Sequence, residues 1–213
     1  MRIIAIEEHF ITPMYREKVA GNEFRNFYLS TRSREMGHDI IAENLDLGAK
    51  RIAHMDAAGV DVQVLSFGSP GPQAFGADVA IPMARDANDR LFQAVQSHPT
   101  RFAGFAALPT ADPEKAAQEL ERCVTKLGFK GAMLHSHQQG EFLDLPKYRV
   151  VWKKAEALGV PVYLHPALPH PMAVKAYFEG YEELARAPWG FAVDTSCHFL
   201  GWCSRACSTT ARS

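Results

Sequence analysis

The sequence predicts an α/β fold built from consecutive βα units whose strands run parallel. Three observations carry that expectation. Short apolar runs alternate with amphipathic helical stretches along most of the chain. Three of the helical stretches end on one pattern, Ala58-Gly59-Val60, Leu127-Gly128-Phe129 and Leu158-Gly159-Val160. In each, a glycine able to take positive φ stops the helix and a strand follows at once. Finally, the 213 residues are 47% hydrophobic and 22% charged, which suits a packed core and excludes wholesale disorder.

Taken in order, the first strand is Arg2–Glu7 (RIIAIE), followed by Glu8 and His9. The stretch Ile11–Asn44 breaks the rhythm with Pro13, Gly21, Gly37 and mixed aromatics, and reads as an extended loop. A helix near Leu45–Ala58 leads into a second strand, Asp61–Phe67, and a Gly/Pro-rich loop over Ser66–Gly76. A helix over Ala77–His98 precedes the third strand, Arg101–Ala107. The next helix, Pro113–Leu127, has a clear start: Asp112 can cap it, Pro113 suits the first helical position and Glu114 the positive helix end. Strands over Lys130–His135 and Pro161–His165 flank a helix at Pro146–Leu158.

Five such units fit a doubly wound sheet or the first part of a (β/α)8 TIM barrel. The first strand lacks a GxGxxG turn and no GxxxxGK[ST] occurs, which removes the main support for a nucleotide-binding sheet. A partial (β/α)8 barrel is therefore expected. A complete one typically takes about 250 residues. The formal net charge of −1 gives no electrostatic footprint for nucleic acid or an anionic membrane. No apolar run approaches the roughly 20 residues that cross a bilayer, the start MRIIAIEEHF is no signal peptide, and four Cys make no disulfide framework. The expectation is a cytoplasmic protein.

The polar residues that end these apolar strands are the candidates for chemistry. Alternation puts Glu7 and His9 on one face of the first strand, with Glu8 on the other. A carboxylate and an imidazole so placed can reach one divalent ion, although an ordinary polar strand end has the same spacing. His165 ends the fifth strand. With Glu7 and His9 it would complete a three-ligand site with open positions, as catalytic metal sites require; the plainer alternative is a His bonded to a loop carbonyl. His135 and His137 form an H-x-H after the fourth strand and are expected to line the pocket rather than bind the ion. His198 lies in a helical stretch and reads as packing, while His38, His54, His98 and His170 carry no pattern. No GxSxG elbow occurs, and Cys123, Cys197, Cys203 and Cys207 lack zinc-finger spacing.

An ordered set of motifs resembles a known family. Glu7-Glu8-His9-Phe10, the Ser66–Gln73 loop, Asn88-Asp89 with Phe102–Pro109, Gly128–Met133, Tyr163-Leu164-His165-Pro166, Trp189-Gly190-Phe191 and Thr195–Leu200 occur in that order. Together they are similar to the metal-dependent decarboxylase branch of the amidohydrolase superfamily, which includes aminocarboxymuconate-semialdehyde, γ-resorcylate and 2,3-dihydroxybenzoate decarboxylases. The resemblance implies a (β/α)8 barrel with one divalent ion, Zn2+ or Mn2+ and sometimes Mg2+, with Glu7, His9 and His165 at ligand positions. It implies a carboxy-lyase acting on a hydroxylated aromatic or related unsaturated carboxylic acid, working as a homo-oligomer when intact. A superfamily hydrolase of an amide or lactone is the alternative, and a non-catalytic fragment a third. The family also needs a sixth-strand His within G-H-x-G-E and a late Asp near the chemistry. The sequence contains no such motif.

The resemblance covers residues 1–200 as one incomplete barrel domain and leaves Gly201–Ser213 as an aberrant tail. That tail holds two Cys, two Arg, three Ser and two Thr without an obvious period. The family pattern continues after Leu200 as Arg-Leu-(Ile/Val), then Gly-Val-Phe-Asp. Back-translated with synonymous codons and read two bases on, the tail encodes Leu-Val-Phe-Glu-Gly-Val-Phe-Asp-Asp, and a C placed before its first codon supplies the Arg. The tail thus reads as out of frame, and the chain as a truncated one expected to be inactive.

Overall fold

The computed structural model describes residues 1–19, 37 and 39–210, the last five of these as backbone only. Five parallel strands form the frame. Strand β1 (Ile4–Phe10) pairs with β2 (Val62–Phe67), and β2 with β3 (Phe102–Gly104). Beyond a short hairpin, β5 (His137–Gln138) and β6 (Glu141–Phe142), the frame is completed by β4 (Ala132–His135) paired with β7 (Val162–His165). A parallel bridge between Ala106 and Ala132, with Ala106 N–H donating to Gly131 O at 2.8 Å, joins the two sets. The order β1-β2-β3-β4-β7 follows the chain, as expected for consecutive βα units with helices on the return.

The helices are α1 (Pro13–Val19), α2 (Ile40–Leu45), α3 (Ala49–Ala58), α4 (Ala77–Ser97), α5 (Pro113–Thr125), α6 (Arg149–Leu158), α7 (Pro171–Phe178) and α8 (Gly190–Thr210). Their ends follow local chemistry. The Asp112 carboxylate accepts from Lys115 N–H at 3.0 Å, so the expected cap of α5 forms. Gly59 and Gly159 close α3 and α6 with φ of 69° and 66°.

Several boundaries differ from the sequence reading. β1 runs on to Phe10, because its pairing with β2 continues through His9–Ser66 and Phe10–Phe67. The third strand shortens to Phe102–Gly104, after which the chain bridges across to Ala132. The helix expected over Leu45–Ala58 opens later, as α3 at Ala49, because the Asp46 side chain accepts from Gly48 N–H at 2.8 Å and turns the chain. The stretch read as an extended loop, Ile11–Asn44, contains α1 and most of α2, and residues 20–36 and 38 lie outside the described residues. Beyond Leu200, where the sequence shows no obvious period, α8 continues to Thr210. Tertiary contacts support it there, since the Trp202 ring packs edge-on against Trp152 at 4.4 Å and Arg205 pairs with Asp144.

The two faces of the strands separate the core from the site. Outward-facing Phe10, Leu65, Phe67, Phe102 and Leu134 pack with Leu91, Leu120 and Val151 of the helices into the main core. The inward face carries a smaller apolar cluster of Val64, Phe105 and Met133, with Tyr163 against it. One step further along the same face, at the carboxyl ends of the strands, the residues turn polar: Glu7, His9, Ser66, His135 and His165. In barrels of this kind the carboxyl-end mouth is where the chemistry sits.

Candidate metal centre

Three of the expected residues converge there. Glu7, His9 and His165 each offer a donor atom, all within 4.8 Å of one another. His9 Nε2 lies 3.2 Å from His165 Nε2, and His165 Nε2 lies 3.4 Å from Glu7 Oε1. Two donors bound to one ion at about 2.0–2.1 Å in tetrahedral directions stand about 3.3 Å apart, so these separations suit a single divalent cation.

Proton bookkeeping supports the same fit. His165 Nδ1 is 2.6 Å from Pro166 O, and a carbonyl can only accept, so Nδ1 carries the proton and Nε2 a lone pair. On the other ring, His9 Nδ1 is 3.1 Å from Ser66 Oγ, whose own hydroxyl proton is directed to Glu8 O at 3.4 Å. His9 Nδ1 is then the donor and its Nε2 also holds a lone pair. Two imidazole nitrogens set 3.2 Å apart beside a carboxylate can share one proton or coordinate one cation. The plainer reading of His165, a bond to a loop carbonyl, is realised as well, and it turns Nε2 toward His9 and Glu7.

The elements behind these residues hold them in place. Register sets His9 beside Ser66 and His135 beside His165. Behind β1, Arg51 of α3 donates to His9 O at 2.9 Å. Burial lowers the Arg51 pKa, and Glu8, Asp46 and Glu43 oppose that. The loop after β2 grips the end of β4: Gln73 Oε1 accepts from His135 N–H at 2.6 Å, and Gln73 Nε2 donates to His135 O at 3.2 Å.

His135, expected with His137 to line the pocket, has its ring centroid 6.4 Å from that of His9 and 4.9 Å from that of His165, and His137 opens strand β5. His135 is 2% exposed and sits beneath His165, its Nδ1 3.3 Å from His165 Nδ1 and its Nε2 donating to Phe67 O at 2.9 Å. His137 spends both nitrogens on loop backbone, Nε2 donating to Leu168 O and Nδ1 accepting from Gly140 N–H, each at 2.9 Å. His198 packs in the interior as expected, stacked on Phe142 and accepting from Leu143 N–H at 3.1 Å, and burial lowers its pKa. Two contributors, Ser66 and Tyr163, escaped the sequence reading, as did the burial of Asp194. Apart from their place in the ordered motifs, Ser66 is visible in sequence as a polar residue near the end of β2 and Tyr163 as a residue on the same strand face as His165. Asp194 is a 4% exposed carboxyl on α8, and nothing in the local sequence announces its burial.

Comparisons with known proteins place the chain by sequence and by fold. The amidohydrolase family pattern matches residues 10–205. The γ-resorcylate decarboxylase of Rhizobium radiobacter is 39% identical over 204 residues, covering 92% of this chain and 59% of that protein. The crystal structure of 5-carboxyvanillate decarboxylase from Novosphingobium aromaticivorans, complexed with manganese and 4-hydroxy-3-methoxy-5-nitrobenzoic acid, superposes with a TM-score of 0.86 at 33% identity. It covers 94% of this chain and 59% of that one. A dihydroxybenzoic acid decarboxylase from Polaromonas with manganese and 2-nitroresorcinol gives 0.82 at 37% identity, covering 95% and 60%. The chain thus spans about three-fifths of the length of these relatives. With its five parallel βα units and the family pattern running almost from end to end, the chain belongs to the amidohydrolase family.

Proposed function

We propose that Glu7, His9 and His165 hold one divalent cation and that the protein, in full-barrel form, is a carboxy-lyase acting on a hydroxylated aromatic acid. The convergence of three lone-pair donors at a strand mouth carries the reading, and relatives that bind manganese and aromatic acids or their nitro analogues support it. A cation held there supplies a positive point for a substrate carboxylate and its neighbouring phenolic oxygen, and stabilises negative charge as CO2 departs. The chain's own residues do the positioning. Glu7 contributes the carboxylate among the three ligands, and His9 and His165 each turn an inner nitrogen toward the place the cation would take. Moving a proton to the ring carbon needs an acid, and the G-H-x-G-E histidine and late aspartate that would provide it do not occur in this sequence. Among the described residues no helix is long and apolar enough to cross a membrane. The small number of cysteines and the lack of a disulfide framework support a cytoplasmic setting, and we propose a homo-oligomer for the full-barrel form on the family resemblance.

We propose further that Gly201–Ser213 is translated out of frame. The support is the string recovered two bases on, which resumes the family pattern at the position where this chain departs from it. Sequencing the gene across the Leu200 codon is expected to reveal a frame change, with G-H-x-G-E downstream. A confirmed reading frame with no such motif in any frame defeats this. With the frame restored, CO2 release from a panel of hydroxybenzoates is the expected activity. Ester or lactone turnover without CO2 would replace the lyase by a hydrolase.

A further inference from the structure

We infer that Tyr163 is the positioning residue of Glu7, the tyrosine hydroxyl selecting which carboxylate oxygen faces the metal centre. This rests on the reading of Glu7, His9 and His165 as the ligands. Each imidazole has its outer nitrogen taken by a fixed partner, Ser66 for His9 and Pro166 O for His165. Glu7 needs an equivalent restraint more than either. Its side chain is 46% exposed and turns about flexible single bonds, and its carboxylate offers two equivalent oxygens.

Tyr163 provides the restraint from the opposite strand. It stands two residues before His165 on the inward face of β7, with its ring against Phe105, the centroids 6.3 Å apart. The ring is therefore set by the apolar layer below the mouth, and only its hydroxyl reaches the polar layer. There it donates to Glu7 Oε2 at 2.5 Å, bridging the interior from β7 to β1. With Oε2 occupied, Oε1 is the oxygen left toward His165 Nε2, 3.4 Å away. The bond thus commits Glu7 to one-oxygen ligation and leaves the rest of the coordination sphere open. Hydrogen bonds from such outer residues to a ligand commonly change metal affinity by about 10–100-fold.

The experiment is a Co2+ titration of the 213-residue chain followed by visible absorption, with Tyr163→Phe, Glu7→Ala and the double variant. Tyr163→Phe removes one oxygen and keeps the ring, so the fold is retained, as far-ultraviolet circular dichroism will record. The expected result is a loss of affinity of about 10–100-fold together with an altered cobalt spectrum, because the freed carboxylate can bind through both oxygens. In the Glu7→Ala background, Tyr163→Phe is expected to change nothing further, since its partner is gone. Wild-type affinity and spectrum in Tyr163→Phe overturn the inference while the metal centre stands. A loss of equal size with and without Glu7 also overturns it, because the tyrosine then acts by another route. A wild-type chain that takes up no Co2+ overturns the metal centre and this inference with it.

Discussion

At the scale of single residues, the site is decided by which ring nitrogens turn to loop backbone and which turn to the strand mouth. The histidines of the H-x-H show this most clearly. In sequence they are the neatest metal-like pair, yet His135 Nε2 goes to Phe67 O and His137 Nε2 to Leu168 O. His9 and His165, less conspicuous in sequence, each keep a nitrogen facing the mouth. The same logic governs Asp194 of α8. Burial raises its carboxyl above the ordinary value, and neighbouring Ser136 and His137 and the Ala167 N–H only partly offset this. The unfolded reference is about 3.9. A group whose folded pKa lies above its unfolded one lends stability at low pH and loses it as pH rises through the folded value. Asp194→Asn is therefore expected to stabilise the chain relative to wild type at pH 7, with the difference closing by about pH 3. Urea midpoints at pH 3, 5 and 7 measure it. A variant less stable than wild type at pH 7 would show that the carboxylate's hydrogen bonds outweigh its burial.

At the scale of elements, boundaries set by local chemistry were legible in sequence and those set by partners were not. The Asp112 cap and the glycine stops at Gly59 and Gly159 depend on a few adjacent residues, so pattern alone finds them. Gly159 offers a direct check. A Cβ added there meets no atom within 4 Å, and its φ of 66° is left-handed. Gly159→Ala is thus expected to destabilise by about 1 kcal/mol from backbone strain alone. Equilibrium urea unfolding at pH 7 gives the value, and a variant as stable as wild type would mean that the α6–β7 turn readjusts freely. The far end of β1 and the continuation of α8 are different cases. β1 reaches Phe10 because β2 pairs with it, and α8 passes Leu200 with Trp202 on Trp152 and Arg205 on Asp144. No short-range period records such contacts.

At the scale of the whole molecule, the outermost strands of the frame are β1 and β7, and each pairs on one side only among the described residues. Ile4 and Ile6 of β1 are 52% and 50% exposed, and register sets Ile4 beside Val62, which shares the inward face of β2 with Val64 and Ser66. Met172 and Tyr177 of α7 are exposed as well. Apolar area of this extent beside open strand edges favours self-association. The 213-residue chain is expected to enhance the fluorescence of an apolar dye such as anilinonaphthalene sulfonate and to show no hydroxybenzoate turnover. Ile4→Thr with Ile6→Thr should reduce the dye signal and leave Co2+ uptake unchanged. Turnover at an ordinary enzymatic rate by the unaltered chain would sink this expectation, as would wild-type dye binding equal to that of a closed-barrel relative.

The sequence by itself determined the α/β class, the order of five βα units and the three residues that converge, because strand periodicity and glycine stops are local and every polar strand end is visible in a string of letters. It also carried the ordered motifs that place the chain in its family. Only the tertiary structure decided which histidine nitrogens face the mouth, because that depends on carbonyls at Phe67, Pro166 and Leu168 brought near by register and loop path. Only the tertiary structure set Tyr163 against Glu7 across the interior, 156 residues apart in sequence. A side chain's partner over such a span is fixed by strand order and face, and those exist only once the sheet has formed.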